Sequence, residues 1–305
     1  MESNTVEELI NDELISPKAK LEVFLAVALK LRPAGQIAIP AELPHGVEMG
    51  QQIDRNVQPQ MMQLKNKQDI VARAKAIKEI KKNLENNFEK IVEDSNEYKA
   101  LYNWSKRMFL KSNQIKVRPT LHEIYFYNDR GTGRKLQKLM LEREKIRRKV
   151  QRNPTNSLSN IRFAFPEEFE PKWLHGLGEV LGYPECCVEQ YAGDRINGIN
   201  VETRASKQLI EAINEKKVDT HVYFTGYFFP CNPRCENAEK KGYEWHEALN
   251  ELNKELGELY EHNIQINTEL VLRQPELIQK YLSQFKPRNV TRDSDKAGDN
   301  PPVQP

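Results

Sequence analysis

Residues 182–187 read Gly-Tyr-Pro-Glu-Cys-Cys, and residues 229–235 read Phe-Pro-Cys-Asn-Pro-Arg-Cys. Together they contain all four cysteines of this 305-residue chain: Cys186, Cys187, Cys231 and Cys235. In each stretch a proline precedes the final cysteine by two or three positions, and proline is favoured at the first position of a helix. The pattern therefore predicts that helices begin here, with Cys186 and Cys187 near the third and fourth positions of one and Cys235 near the third position of another.

A thiolate near a helix start faces unpaired backbone N–H groups and the positive end of the helix dipole, and both lower its pKa. Two such starts brought together would form one four-thiolate pocket. The spacing consists of two adjacent cysteines, a gap of 43 residues and then Cys-x-x-x-Cys, which fits neither a standard zinc finger nor a ferredoxin. We therefore expect either a zinc ion or an iron–sulfur cluster on these ligands, and buried free cysteines are the plainer interpretation.

Four further side chains could assist such a site. Glu185 and Arg234 adjoin the cysteines, where a carboxylate could interact with the ligands or move a proton and a guanidinium could hold an anion. His175 and His246 could replace a cysteine as a metal ligand. Carboxylates are common at helix starts without any function, and lone histidines are common in helices. An ordinary structural role therefore explains the same four residues.

Residues 130–152 carry ten basic and two acidic side chains on a predicted helix. Such an excess could follow a phosphate backbone. The candidate contacts to nucleic acid or nucleotide are Arg134, Arg147, Arg148 and Lys149. A Gly-Thr-Gly-Arg run at 131–134 could seat a phosphate at the helix start, although it is neither a Walker nor a Rossmann motif. A solvated helix face accounts for the same charges.

Composition narrows the class of protein. Charged residues make up 30% of the chain and the net charge is +2, which does not by itself indicate a nucleic-acid binder. No window approaches about 18 uninterrupted apolar residues, so we expect no membrane span. The most apolar stretch, residues 21–31, follows acidic residues rather than a basic leader. A cytoplasmic protein with reduced cysteines is expected, and nothing in the sequence specifies its oligomeric state.

Hydrophobic periodicity predicts a predominantly helical α+β fold. Three segments open the chain: a buried helix over 16–31, an irregular connection over 33–60 and helices from 61 to 111. Short strands are predicted over 121–127, 161–165 and 221–225, and would form one small sheet. Further helices are predicted over 167–180, 184–192, 201–217, from 233 onward and after Pro275.

We divide the chain into three parts on this basis. Residues 1–115 form a helical module, and residues 116–286 form an α+β domain organised around the cysteines. Residues 287–305 contain several prolines and almost no large apolar side chains, which predicts a disordered tail.

Two motifs lie in the second part. They are Gly-Tyr-Pro-x-Cys-Cys-Val over 182–188 and Pro-Cys-x-x-x-Cys over 230–235, with Gly242 downstream. In these motifs the chain resembles the domain-of-unknown-function 483 family, which is uncharacterised and mainly archaeal, over about residues 160–285. The resemblance implies that the four cysteines act as one unit, and it implies no particular reaction.

The sequence thus favours a metal- or iron–sulfur-binding protein with four cysteine ligands. If the site is catalytic, the basic helix would bind an anionic, nucleotide-like substrate. A second hypothesis is a nucleic-acid-associated protein in which zinc only stabilises the fold. A third is a thiol oxidoreductase with one reactive cysteine. An interaction scaffold is the plainest alternative, because long amphipathic helices offer surface for partners.

Overall fold

The computed structural model describes residues 3–152 and 165–284. Within them the protein is predominantly helical and has one small antiparallel sheet, which confirms the predicted fold class. The helices are α1 (Ser3–Asn11), α2 (Gly46–Lys65), α3 (Ile70–Phe88), α4 (Asn96–Arg107), α5 (Arg130–Arg152), α6 (Pro171–Leu181), α7 (Glu185–Ile196), α8 (Val201–Asn214), α9 (Glu236–Leu252) and α10 (Lys254–Gln284). The predicted strand over 161–165, apart from Phe165, and the predicted tail over 287–305 lie outside the described residues.

The predicted buried helix over 16–31 begins as expected, because the Ser16 hydroxyl accepts a hydrogen bond from the Ala19 N–H. The type of helix differs from the prediction. Residues Ala19–Leu25 form a π-helix, and one α-helical turn, Ala26–Ala28, follows. Every residue of the π-helix is buried, as the all-round apolar pattern predicts.

The sheet contains β1 (Ala34–Ile39), β2 (Lys111–Arg118) and β3 (Leu121–Tyr127), in the order β1-β3-β2. In the central strand β3, Ile124 pairs with Ile37 on one side and Gln114 on the other. The strand predicted over 121–127 is confirmed. The irregular connection predicted over 33–60 is wrong, because this segment contains β1 and most of α2. Strand β2 was not predicted, since an edge strand with one partner tolerates the polar sequence Lys-Ser-Asn-Gln-Ile-Lys-Val-Arg.

One hydrophobic core cluster includes side chains of both the first helix, α1, and the last, α10; among its members are Leu9, Phe24, Phe126, Trp245 and Tyr260. The sheet, the π-helix and the helices that carry the cysteines therefore pack together. The predicted boundary near residue 115 falls inside β2, and the division into a helical module and a cysteine-containing domain stays a prediction.

A fully buried carboxylate joins the two ends of the chain. Glu22, in the π-helix, is 0% exposed. It accepts hydrogen bonds from the Thr225 hydroxyl at 2.7 Å, the Gly226 N–H at 2.9 Å and the side-chain amides of Asn263 and Asn267 on α10. These donors offset the cost of removing a carboxylate from water. The N-terminal segment is thereby held against the last helix.

Two predictions near the C-terminus are wrong. Residues Thr220–Tyr223 form a 3₁₀-helix rather than the strand predicted over 221–225. The helix predicted to start after Pro275 begins at Lys254 and contains this proline. The interruption lies at Asn253, whose extended backbone (φ −163°, ψ 130°) separates α9 from α10. In the described ranges, no helix is both long and apolar enough to cross a bilayer.

Candidate metal centre

The structure brings the two cysteine clusters together. All four sulfurs lie within 4.8 Å of one another. The Cys235 sulfur is 3.6 Å from the sulfurs of Cys186 and Cys187, which are 4.0 Å apart. Four thiol groups at these distances can hold a metal ion. We call this group, Cys186, Cys187, Cys231 and Cys235, the four-cysteine site.

Three of the four cysteines lie at helix starts, Cys186 and Cys187 one position earlier and Cys235 three positions earlier than predicted. Pro184 has an extended backbone (φ −59°, ψ 134°) and precedes α7 instead of opening it. Cys186 and Cys187 are therefore the second and third residues of α7. Cys235 is the residue before α9, because a turn closed by its N–H and the Asn232 carbonyl delays the helix.

An arginine that the sequence analysis missed positions the second cluster. The Arg204 guanidinium, on α8, donates hydrogen bonds to the carbonyls of Pro230 and Cys231 at 3.1 and 3.2 Å. It is itself held by an ion pair with Asp194 on α7. Arg204 thus links the loop that carries Cys231 to the helix that carries Cys186 and Cys187. One arginine in an amphipathic helix has no local signal that marks this role.

Three sulfurs of the four-cysteine site accept a hydrogen bond from an N–H group, and the backbone N–H of Ala238 helps to lower the pKa of the fourth, Cys235. The donors to the three are Asn237 Nδ2 to Cys186, the Cys231 N–H to Cys187 and Asn232 Nδ2 to Cys231, each at 3.4 Å. N–H donors around a ligand orient it and stabilise negative charge on it. The surroundings therefore suit four thiolates.

The thiols differ in proton affinity in this structure. The hydrogen bond from the Cys187 thiol to the Cys235 sulfur is the main reason that the pKa of Cys235 falls to about 5. The same bond, with burial, raises the pKa of Cys187. Burial raises the pKa of Cys231 to about 11. The lowering predicted for the cysteines at the helix starts is therefore found at Cys235 and reversed at Cys187.

The site is half enclosed. Cys187 and Cys235 are buried, while Cys186 and Cys231 are partly exposed. The aromatic side chains of Phe228 and Phe229 are buried in the same core cluster as Cys187 and Cys235. An apolar surrounding limits the access of water to two of the four ligands.

The other candidate residues lie apart from the sulfurs or bind elsewhere. Glu185 is exposed at the first position of α7 and lines a shallow pocket with Cys186. Arg234 forms an ion pair with Glu215 at 2.5 Å. His175 is exposed on α6. His246 lies 3.2 Å from a carboxylate oxygen of Glu261. Neither histidine belongs to the cluster of possible ligands found among the described residues.

The basic helix α5 has an inner and an outer face. Arg147 is engaged inside the protein, because it donates hydrogen bonds to the Glu167 carboxylate and, at 3.0 Å, to the Val117 carbonyl. Arg148 forms an exposed ion pair with Glu144. Arg134 and Lys149 are exposed. Of the four predicted contacts, three therefore face solvent and one does not.

Residues 105–262 match the sequence profile of a family described as a protein of unknown function, DUF483. The match begins earlier than the resemblance over 160–285 indicated, and it includes both cysteine clusters. The uncharacterized protein MJ1106 of Methanocaldococcus jannaschii is 32% identical over 93 residues, which are 28% of this chain and 50% of that protein. The aligned segment thus spans about half the length of this relative. No solved structure matches the chain.

Proposed function

The chain belongs to the DUF483 family of proteins of unknown function, and we propose that it binds a single tetrahedral metal ion, zinc by preference, through its four cysteines. The ion acts as a structural cross-link between the start of α7 and the loop that leads into α9. Four thiolates complete the coordination of zinc, which is typical of structural rather than catalytic sites.

The distances between the sulfurs carry this proposal. A tetrahedron with metal–sulfur bonds of about 2.3 Å has sulfurs about 3.8 Å apart. Three of the pairs, between Cys186, Cys187 and Cys235, are 3.6 to 4.0 Å apart. The pairs with Cys231 lie within 4.8 Å. A shift of less than about 1 Å at the Cys231 loop would complete the tetrahedron.

The same distances disfavour the iron–sulfur cluster. In a cubane cluster each cysteine binds a different iron, so the cysteine sulfurs lie farther apart than ligands that share one ion. The four-cysteine site would have to expand to accept a cluster. A single ion needs almost no rearrangement, and tetrahedral sulfur sites of this kind take zinc or iron.

Metal analysis of purified full-length protein tests the proposal. We expect one zinc per chain, no acid-labile sulfide, and loss of the metal in a Cys235→Ser variant. One iron without sulfide would keep the single-ion site and change the metal. Iron with sulfide and a brown chromophore would contradict it, as would retention of zinc by the Cys235→Ser variant.

The thiol oxidoreductase is less well supported. Cys235 has the lowered pKa that a nucleophile needs, but its side chain is buried. Reactive cysteines are partly exposed. A buried thiolate surrounded by three other sulfurs is better suited to ligate a metal than to attack a substrate.

Nucleic-acid binding is a second candidate, and one feature of α5 favours it. Arg134, Lys138, Lys145, Lys149 and Arg152 are all exposed. At about 100° per residue they lie within an arc of about 60°, along about 27 Å of helix. A straight row of cations on one face can follow a phosphate backbone. Arg147 does not contribute, because its guanidinium is bound to Glu167.

Reversing the charge of two residues in this row tests whether the row binds nucleic acid or only faces solvent. We expect a Lys138→Glu/Lys149→Glu variant to weaken binding to an RNA duplex and to reduce the slope of log K against log salt by about 2. A Lys75→Glu/Lys207→Glu variant changes the net charge equally at exposed positions on α3 and α8 and serves as the control. Equal effects of the two variants, or no binding by the wild type, would remove this candidate.

A further inference from the structure

A cavity of about 250 Å³ adjoins the four-cysteine site, and Cys187 forms part of its wall. It lies between α5, α6, α7 and the segment around Phe228. Its volume suits a small organic molecule rather than a macromolecule. The proposed metal function does not involve this space.

Aromatic side chains form most of the apolar lining, among them Trp173, Tyr183, Tyr191, Tyr227 and Phe228. Aromatic faces carry negative charge density and attract organic cations. The Lys18 ammonium already lies 4.6 Å from the centroid of the Tyr227 ring. The lining therefore favours a flat or cationic ligand over a strongly hydrated anion.

Carboxylates outnumber cations in the lining. Glu123, Glu167 and Glu168 line the cavity with a single guanidinium, that of Arg143. Arg143 is 5% exposed and fully engaged, because it donates to both oxygens of Glu123 at 2.6 and 3.0 Å and to Glu167 at 2.7 Å. Arg147 is likewise bound to Glu167, so an anionic ligand would find no free cation here.

Glu168 is the carboxylate in the lining that can accept a further hydrogen bond. One of its oxygens lies 3.3 Å from Arg195 and 3.5 Å from the Tyr191 hydroxyl. The other oxygen accepts no hydrogen bond from the residues that the structure describes. Arg195 is shared with Glu202 at 2.8 Å. Burial raises the pKa of Glu168, which a nearby positive charge would reverse.

The backbone beside the cavity holds an uncommon conformation. Tyr227 has a positive φ of 58°, which is strained for a residue with a side chain and recurs where proteins clamp ligands. Its side chain is 57% exposed and also lines the cavity. This places Tyr227 where the cavity meets solvent. The preceding N–H, that of Gly226, is bound to Glu22 at 2.9 Å, which keeps the turn in place.

We propose that this cavity binds a small organic cation, an aromatic amine, whose ammonium group lies against Glu168 and whose ring lies among the aromatic side chains. Because no free cation lines the cavity, phosphorylated and carboxylated ligands are disfavoured at this position. The anionic substrate expected from the sequence would therefore have to bind elsewhere on the protein.

The test uses full-length protein in which the tryptophans are replaced by 5-fluorotryptophan, because the side chain of Trp173 lines the cavity. Fluorine NMR gives one signal for each tryptophan, and Trp173→Phe assigns the signal of interest. Benzylamine, benzyl alcohol and benzoate serve as cationic, neutral and anionic probes of one ring size, with tryptamine as a larger cation. We expect the two amines to shift the Trp173 signal saturably and benzoate to leave it unchanged.

A pair of variants identifies the carboxylate. Glu168→Gln should weaken amine binding at least tenfold, while Glu170→Gln, two residues away and exposed, should leave it unchanged. The proposal is overturned if benzoate binds as tightly as benzylamine, if no probe shifts the Trp173 signal, or if both variants bind amines like the wild type. If Glu168→Gln does not fold, the comparison of the cationic, neutral and anionic probes on the wild type still tests whether the cavity prefers amines.

Discussion

The sulfurs of Cys187 and Cys235 lie 3.6 Å apart, although 48 positions separate the two residues in the chain. Both are buried in the core cluster that includes Trp245 and Phe224. A metal ion between them would close a long loop that contains α8 and the 3₁₀-helix Thr220–Tyr223. Closing a long loop restricts the unfolded chain more than the folded one.

Removal of the metal should therefore destabilise the protein. We expect Cys235→Ser to lower the free energy of unfolding by about 3 kcal/mol or more, because binding of a structural ion contributes directly to folding. Urea denaturation followed by circular dichroism measures the change. The internal control is the metal-free state: after chelation, wild type and variant should unfold at similar urea concentrations. A large difference that persists without metal would assign the effect to packing of Cys235.

Gly242 should resist substitution because of one close contact. A Cβ atom at this position of α9 would lie 2.1 Å from the carbonyl oxygen of His221. Gly242→Ala should therefore lower the free energy of unfolding by about 2–3 kcal/mol, in spite of the higher helix propensity of alanine. Gly193, in α7, has open space around its Cβ position. Gly193→Ala should raise stability by about 0.5–1 kcal/mol, and thermal denaturation of both variants separates the two effects.

The buried carboxylate of Glu22 should be sensitive to its replacement by an amide. Glu22→Gln exchanges one acceptor oxygen for an NH₂ group that faces the donors Asn263, Asn267 and Gly226. Two donors directed at each other leave at least one buried group unpaired, which costs about 1–3 kcal/mol. Glu7→Gln, on the exposed face of α1, is the matched control. Equal denaturation midpoints for the two variants would contradict the structural role of Glu22.

The ion pairs of Glu167 predict a pH dependence. Burial alone would raise the pKa of this carboxyl group, but hydrogen bonds from Arg147 and the charges of Arg143 and Arg147 outweigh it, so the pKa lies below its usual value. A depressed folded-state pKa stabilises the protein above the unfolded pKa of about 4.3, and this contribution is lost as pH falls through the folded pKa.

We expect the difference in free energy of unfolding between wild type and Glu167→Gln to become smaller at acidic pH. At pH 7 the variant should be less stable by about 3 kcal/mol, because Arg143 and Arg147 lose a buried partner. Free energies of unfolding measured from pH 7 to pH 3 should begin to converge below the unfolded pKa of about 4.3, as pH falls towards the lower folded pKa. A constant difference over the whole range would show that charge on Glu167 does not cause the effect.

The local sequence pattern was sufficient to predict some helices and strands and not others. The apolar stripe of α9 and the aromatic and β-branched residues of β3 specify their elements, and β3 is buried on both faces. Strand β1 was missed because its six residues, Ala-Gly-Gln-Ile-Ala-Ile, become a strand only by pairing with β3. The π-helical winding over Ala19–Leu25 has no periodicity that sequence alone separates from an α-helix.

By itself, the sequence determined which side chains can ligate a metal. The four cysteines are the only thiols in the chain, and their chemistry does not depend on the fold. Tertiary structure alone decided that the four sulfurs lie within 4.8 Å of one another, that Arg204 holds the Cys231 loop and that Arg147 binds Glu167 rather than solvent. These facts depend on contacts between residues that are distant in the chain. A local sequence pattern specifies which chemical groups are present, whereas only the packed core sets the distances between those groups.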